Sequence, residues 1–261
     1  MTNRRTPSLA SKLRGLRAAI RGRPAAIHRT MQDDASTKTP MKSLDHMDDL
    51  LAHLAIRGLR PTTILDIGAA KGYWSANAKQ FFPESNFVLF EPLSLHFKEL
   101  ERTVSTHPTF SYHPFALGEA EADSPININE QPEGSSLLEY YDEEGQERTI
   151  VKVRRLDDLI ARGEVPKPDM MKIDVQGFEL QTLRGAEEAL KSTELLIIEV
   201  NMFRFMPECP LAHEIIAHLA ERGFVLYDLA ATLRRPTGND LGQMDLVFAR
   251  ADSQLTSNNA W

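Results

Sequence analysis

The chain has 261 residues, 42% hydrophobic and 26% charged, enough for one sizeable α/β core without requiring a second domain. No run of about 18 apolar residues argues for a membrane-spanning helix, and a single cysteine, Cys209, excludes an internal disulfide and a cysteine-built zinc site. The formal net charge of -7 divides into +7 over residues 1–60 and -14 over the other 201, and so acidic a body is a poor general binder of nucleic acid, whose grip depends on neutralised phosphates. Residues 1–60 hold 12 Lys and Arg against 5 Asp and Glu, and the first 32 hold 8 basic and no acidic residues. There Leu9, Leu13, Leu16 and Ile20 recur at roughly helical spacing around Arg14, Arg17 and Arg21, as in a short basic amphipathic helix or a loose tail whose charges face water. Such an arm could make weak contact with an anionic membrane surface or an acidic partner. Arg4 and Arg5 are not followed by the apolar stretch of a secretory signal, so a cytoplasmic protein is expected.

Gln32 to Pro40 reads as a linker, so residues 1–40 form a basic arm and linker. Residues 41–61 form an N-terminal helix packing on the core, with Leu44, Met47, Leu50, Leu51, Leu54 and Ala55 at helical spacing and Gly58 and Pro61 ending it. From residue 62 to 250 strands and helices alternate. Strands are expected at Thr63–Ile67, Phe87–Phe90, Phe110–Ala116, Met170–Ile173 and Leu195–Val200, with helices at Tyr73–Phe82, Leu95–Val104, Phe178–Leu190 and Leu211–Glu221. Leu117 to Arg148 is polar; Ile126–Ile128 and Ile150–Val153 read as added strands, and Gly134 to Gly145 as a surface loop or lid. Phe224–Leu229 and Asp245–Ala249 close the domain and include an antiparallel edge, and residues 251–261 form a tail. Apolar strands without clean alternation require a mostly parallel sheet with helices on both faces, an α/β fold.

Thr63 to Ser75 places a glycine-marked turn between a buried strand and a helix. Gly68 can take a backbone shape closed to other residues, and Gly72 lets the helix start close to the sheet. A dinucleotide turn wants a middle glycine to clear room for pyrophosphate; this one has Ala70, with bulky Trp74 beyond it. Glu91 lies 25 residues after Asp66, at the end of the next strand, where a carboxylate can accept from both hydroxyls of a ribose. Pro92 fixes the chain leaving it. Asp66 steadies the turn and the amino-acid part of a ligand. The candidate cofactor residues are therefore Asp66, Gly68, Ala69, Ala70, Gly72, Ser75, Glu91 and Pro92.

A third carboxylate, Asp174, ends the strand of Met171-Lys172-Ile173-Asp174 and is a candidate base for a substrate hydroxyl. Lys172 points to the same side of the strand and could hold Asp174 ionised or hold a substrate anion, and His113 is a second base candidate. Glu199, ending its own strand, could share the cleft. With Asp174 it would present oxygen ligands of the kind Mg²⁺ or Ca²⁺ takes, yet no metal site is assigned. Glu179, one turn beyond Gln176, reads as a helix cap or a substrate contact.

Residues 62–250 resemble the FkbM-type methyltransferases. The resemblance is carried by Leu65-Asp66-Ile67-Gly68-Ala69-Ala70-Lys71-Gly72-Tyr73-Trp74-Ser75, Glu91-Pro92, Ala116-Leu117-Gly118, Gly134-Ser135-Ser136-Leu137, Arg155-Leu156-Asp157-Asp158-Leu159, Lys172 through Glu179, Leu183-Arg184-Gly185-Ala186 and Ile198-Glu199-Val200. It implies a class I methyltransferase, Rossmann-like, in which Gly68 to Gly72 wraps the methionine portion of S-adenosylmethionine and Glu91 holds its ribose. It also implies a serine loop, Ser135 and Ser136, beside the cleft, and matches Asp174 and Glu179 to the family's acidic Asp-x-x-Gly-x-Glu signature; with Glu199, read from its strand-end position, Ser135, Ser136 and Glu179 are the expected substrate contacts. The reaction implied is methyl transfer to a hydroxyl oxygen of a sugar, glycan or small natural product; oligomeric state stays open. Ala70 and Lys71 stand where the family commonly has an asparagine after alanine, and Gln176 where it commonly has glutamate. A nicotinamide-dependent oxidoreductase is the competing enzyme class, disfavoured by Ala70 and by the lack of a Tyr-x-x-x-Lys pair. A non-catalytic methyltransferase-like scaffold for a partner is the non-enzymatic alternative.

Overall fold

The computed structural model describes residues 47–141 and 147–257. The basic arm and linker, the first part of the N-terminal helix, a stretch of the expected lid and the last residues of the tail lie outside the described residues. The first described element, α1 (Met47–Ile56), carries Asp48 and Asp49 in its first turn, where acidic charge complements the helix dipole. Its Leu50, Leu51 and Leu54 are fully buried, each stabilising by about 1.5–3 kcal/mol. They join the apolar cluster of Ile64, Phe87, Leu89, Met170, Ile197 and Val247.

The main sheet has seven strands. They are β1 (Thr63–Ile67), β2 (Asn86–Phe90), β3 (Phe110–His113), β7 (Met170–Ile173), β8 (Leu195–Asn201), β9 (Phe224–Arg234) and β10 (Leu241–Arg250). Their spatial order is β3-β2-β1-β7-β8-β10-β9. Pairing is parallel from β3 to β8, and β10 runs antiparallel to both β8 and β9. Leu65, Ile67, Met171, Ile173 and Ile198 face one cluster while Ile64, Met170 and Ile197 face the other. Successive strand residues thus bury on opposite faces, which is why every residue of β1 and β8 is buried. Helices α2 (Tyr73–Ala78) and α3 (Ser94–Ser105) follow β1 and β2; α4 (Leu156–Ala161), α5 (Glu179–Arg184), α6 (Glu187–Ser192) and α7 (Ala212–Ala220) come later in the chain. The chain winds outward one way from β1 through β2 to β3, then returns on the other side at β7. Between β1 and β7 the order reverses, the place where open α/β sheets bind ligands.

Three expected elements differ. Phe110–Ala116 is not one strand: it breaks at Pro114, which has no N–H for a ladder, so β3 stays in the main sheet and β4 (Ala116–Leu117) pairs with β6 (Glu147–Arg154) in a second one. The added strands expected at Ile126–Ile128 and Ile150–Val153 are present but longer, as β5 (Ala122–Ile128) and β6, and run antiparallel to each other in that sheet. Phe178–Leu190 divides into α5 and α6 at Gly185, where an added Cβ would lie 2.0 Å from the Gly118 carbonyl oxygen. Asp157 restarts the helix by accepting the Glu188 and Ala189 N–H groups, each at 3.0 Å. No helix among the described residues is long and apolar enough to cross a membrane.

Candidate active site

The turn after β1 is closed on itself. Gly68 sits at φ 82, and a Cβ there would lie 2.0 Å from the Asp174 carbonyl oxygen, so both conformation and space demand glycine. The N–H groups of Gly68 and Ala69 donate to the Phe90 carbonyl, both at 3.0 Å, and that of Gly72 donates to the Ala69 carbonyl at 2.8 Å. Ala70, at φ 48, donates its N–H to Glu91 Oε2 at 2.8 Å. The other Glu91 oxygen accepts from the Leu93 N–H, also at 2.8 Å. Glu91 is only 5% exposed, and burial pushes its carboxyl up to about 7 against these two bonds.

Next to the turn, the register of β1 against β7 sets Asp66 opposite Lys172. The ammonium lies 3.6 Å from Asp66 and 3.3 Å from Asp174. Burial alone would lower its pKa, but Asp174, Asp66 and Asp245 carry it above the ordinary lysine value. Asp66 is fully buried, which raises its carboxyl despite Lys172 and a 2.7 Å hydrogen bond from Ser75. It braces the turn from below and does not line the cleft; nor do Ala69, Gly72 or Ser75.

Asp174, Gln176 and Glu199 form a chain of contacts at the rim. The Gln176 amide donates to Asp174 Oδ1 at 2.6 Å and to Glu199 Oε2 at 3.0 Å, while Gln243 donates to the same Glu199 oxygen at 2.8 Å. Two acceptors on one side fix which end of the amide is nitrogen. Gln176 is held at φ 54, and the Ser136 hydroxyl donates to its carbonyl at 2.7 Å. The residue that departs from the family's glutamate is therefore a neutral spacer between two carboxylates. Lys71, the other departure, points to Glu133 at 2.7 Å and pins the short 3-10 turn Pro132–Gly134 over the glycine turn.

These elements line a cleft, partly open to solvent, bordered by Gly68, Ala70, Glu91, Pro92, His96, Ser135, Asp174 and Gln176 with apolar Phe90, Leu93, Ile126 and Phe178. Other expected site residues lie away from it. His113 stacks on Phe90 at 5.2 Å, and burial lowers its pKa. Ser136 is fully buried, tied to Gln176, and bridged to Asn127 in β5. Glu199 is reached through Gln176. Glu179 is 1% exposed and accepts the Val175 and Gly177 N–H groups at 3.3 and 3.0 Å, so it braces the turn that precedes α5 and does not cap the helix itself. Among the described residues no three metal-ligating side chains are gathered. His96 and Gln243 carry no motif. A histidine in step with Leu100 and Thr103 on the buried stripe of α3 was the available signal for the first; Gln243 depends on β10 pairing with β8, which spacing does not reveal.

Burial pushes Glu179 up to about 7 from its usual 4.5. Between those values the folded chain holds a proton the unfolded chain has released, so its contribution to stability is complete below 4.5 and lost as pH rises through about 7. The loss is on the order of 3 kcal/mol. Glu179→Gln keeps an acceptor for both N–H groups, and denaturant midpoints from pH 4.5 to 8 should decline less steeply than the parent's; an identical slope removes this account.

The sequence profile of the family described as Methyltransferase FkbM domain matches residues 66–226. The hexuronic acid methyltransferase AglP of Haloferax volcanii is 27% identical over 55% of this chain and 62% of its own length. Methyltransferase 1 of Beauveria bassiana is 27% identical over 48% of this chain and 58% of its own. The chain thus spans about three fifths of the length of these curated relatives. The O-methyltransferase TomG of Streptomyces achromogenes, solved with S-adenosylmethionine, aligns at 14% identity and a TM-score of 0.44 over 78% of this chain and 79% of its own.

Proposed function

We propose that this chain, which belongs to the FkbM methyltransferase domain family, carries the methyl group of S-adenosylmethionine to a hydroxyl oxygen of a sugar, glycan or small natural product. Methyl transfer from S-adenosylmethionine is the activity its family supports, and the oxygen acceptor is our reading. The observation that carries the cofactor choice is the fate of the turn amides. A phosphate-binding turn presents free N–H groups to an anion. Here those of Gly68, Ala69 and Ala70 are engaged inside the protein, the last by a carboxylate that would repel phosphate. Both cations near the rim are occupied as well, Lys71 by Glu133 and Lys172 by Asp174 and Asp66. An acidic rim rich in acceptors suits a cationic ligand with donor hydroxyls and disfavours a dinucleotide.

S-Adenosylmethionine supplies an electrophilic methyl group on a sulfonium centre. Glu91 would accept from the ribose, the turn at Gly68 and Ala70 would lie along the methionine portion, and the Asp174 carboxylate would take the proton of the acceptor hydroxyl. Lys172 donates to Asp174 at 3.3 Å, and Gln176 holds it in place at 2.6 Å. Alignment of the reactants supplies most of the rate gain, and proton removal a smaller part. A sugar acceptor is supported by the name of the Haloferax relative, a hexuronic acid methyltransferase.

The test is incubation with S-adenosylmethionine and a panel of uronic acids, neutral glycans and hydroxylated small molecules, read by mass. We expect one acceptor class to gain a single methyl group. Cofactor uptake with no acceptor methylated would favour the scaffold alternative, and no uptake by folded chain would end the proposal.

A further inference from the structure

His96 is the polar side chain of the cleft that no motif explains. It stands at the third position of α3, is 2% exposed, and lines the cleft together with Glu91, Pro132 and Glu133. Its ring hydrogen-bonds the Pro132 carbonyl, which requires a ring N–H, while Nδ1 is buried with no partner. Burial lowers the imidazole pKa below its usual value despite Glu133 and the Pro132 bond, and the positive end of α3 acts in the same direction. The ring is therefore neutral, donating from Nε2 and carrying a lone pair on Nδ1. The Lys71–Glu133 ion pair fixes the 3-10 turn that supplies the Pro132 carbonyl, and so fixes the direction of the lone pair.

A buried acceptor without a donor is rare in a folded protein, because nothing repays its lost hydration. The side chain that carries it lines the cleft, which points to a ligand donor. Glu91 adds acceptor capacity in the same cleft: each of its oxygens takes one backbone N–H and retains a second lone pair. Two acceptors from neighbouring segments match two donors on adjacent carbons. We propose that His96 Nδ1 accepts one hydroxyl of the ribose pair whose other hydroxyl is held by Glu91. The inference rests on the nucleoside reading above.

Calorimetry of the full chain with S-adenosylhomocysteine and its 2′-deoxy and 3′-deoxy analogues tests it. His96→Gln keeps an N–H toward Pro132 but removes the Nδ1 acceptor. It should weaken S-adenosylhomocysteine roughly 5–10-fold and abolish the parent's discrimination against one deoxy analogue. His96→Asn, which returns an oxygen near Nδ1, should recover part of both. The Nδ1 nitrogen resonance of the parent should also shift with S-adenosylhomocysteine and not with that analogue. Parent-like affinity in His96→Gln, or an equal loss for all three ligands, overturns the inference while leaving the nucleoside site standing. A folded parent that binds none of the three overturns the site and the inference together.

Discussion

Asp174→Asn is expected to lower turnover about 100-fold while leaving S-adenosylmethionine affinity within about three-fold of the parent. General base catalysis spans roughly 10²–10⁴-fold, and the low end applies here because alignment of the reactants supplies most of the rate gain. Lys172, raised above the ordinary lysine value, keeps its charge 3.3 Å from Asp174. The fold should survive, since the substituted side chain retains an oxygen for the Gln176 amide and Lys172 keeps Asp66 at 3.6 Å. Steady-state kinetics on the acceptor found in the screen, with calorimetry of the cofactor alone, separates the outcomes. Unchanged turnover removes Asp174 as the base. A matched loss in affinity and turnover makes it a binding group instead.

Local chemistry was readable in the sequence, and pairing at a distance was not. The turn from Gly68 to Gly72 and the acid at Glu91 are recognisable because each lies at a strand end and is marked by residue types that few other settings require. The alternation of strands and helices followed from runs such as Leu195 to Val200, which a sheet covered on both faces demands. What escaped depended on contacts between segments remote in sequence. Asp66 in an apolar strand has meaning only once β7 sets Lys172 opposite it. Asp157 and Gly185, quoted within two separate motifs, turn out to serve one junction: Asp157 caps the helix that Gly185 interrupts, and the Asp157 N–H donates to the Gly185 carbonyl at 3.1 Å. Ala70 is instructive in another way. It occupies a left-handed conformation that costs an alanine about 1–2 kcal/mol and an asparagine less. The departure from the family run therefore adds strain, which the Glu91 bond to the Ala70 N–H helps to hold.

That double attachment makes Glu91→Ala the largest expected effect on cofactor binding, a loss of about 10–100-fold in S-adenosylhomocysteine affinity. A charge-assisted hydrogen bond is worth roughly 1.5–3 kcal/mol, which is the source of that range. Two causes act together, loss of acceptors for the ribose and release of the Ala70 N–H that shapes the turn. They separate by pH. In the free protein burial pushes Glu91 up to about 7, so below that value the carboxyl is mostly protonated. A ribose hydroxyl that donates to the carboxylate favours the ionised form, so binding must expel the proton. Parent affinity should then fall as pH drops below about 7, by up to ten-fold per unit, with close to one proton released per ligand in buffers of different ionisation enthalpy. Glu91→Ala should show the weaker affinity without that slope. A folded variant that binds as tightly as the parent refutes the ribose role, and weakened binding that keeps the parent's slope assigns Glu91 to the turn alone.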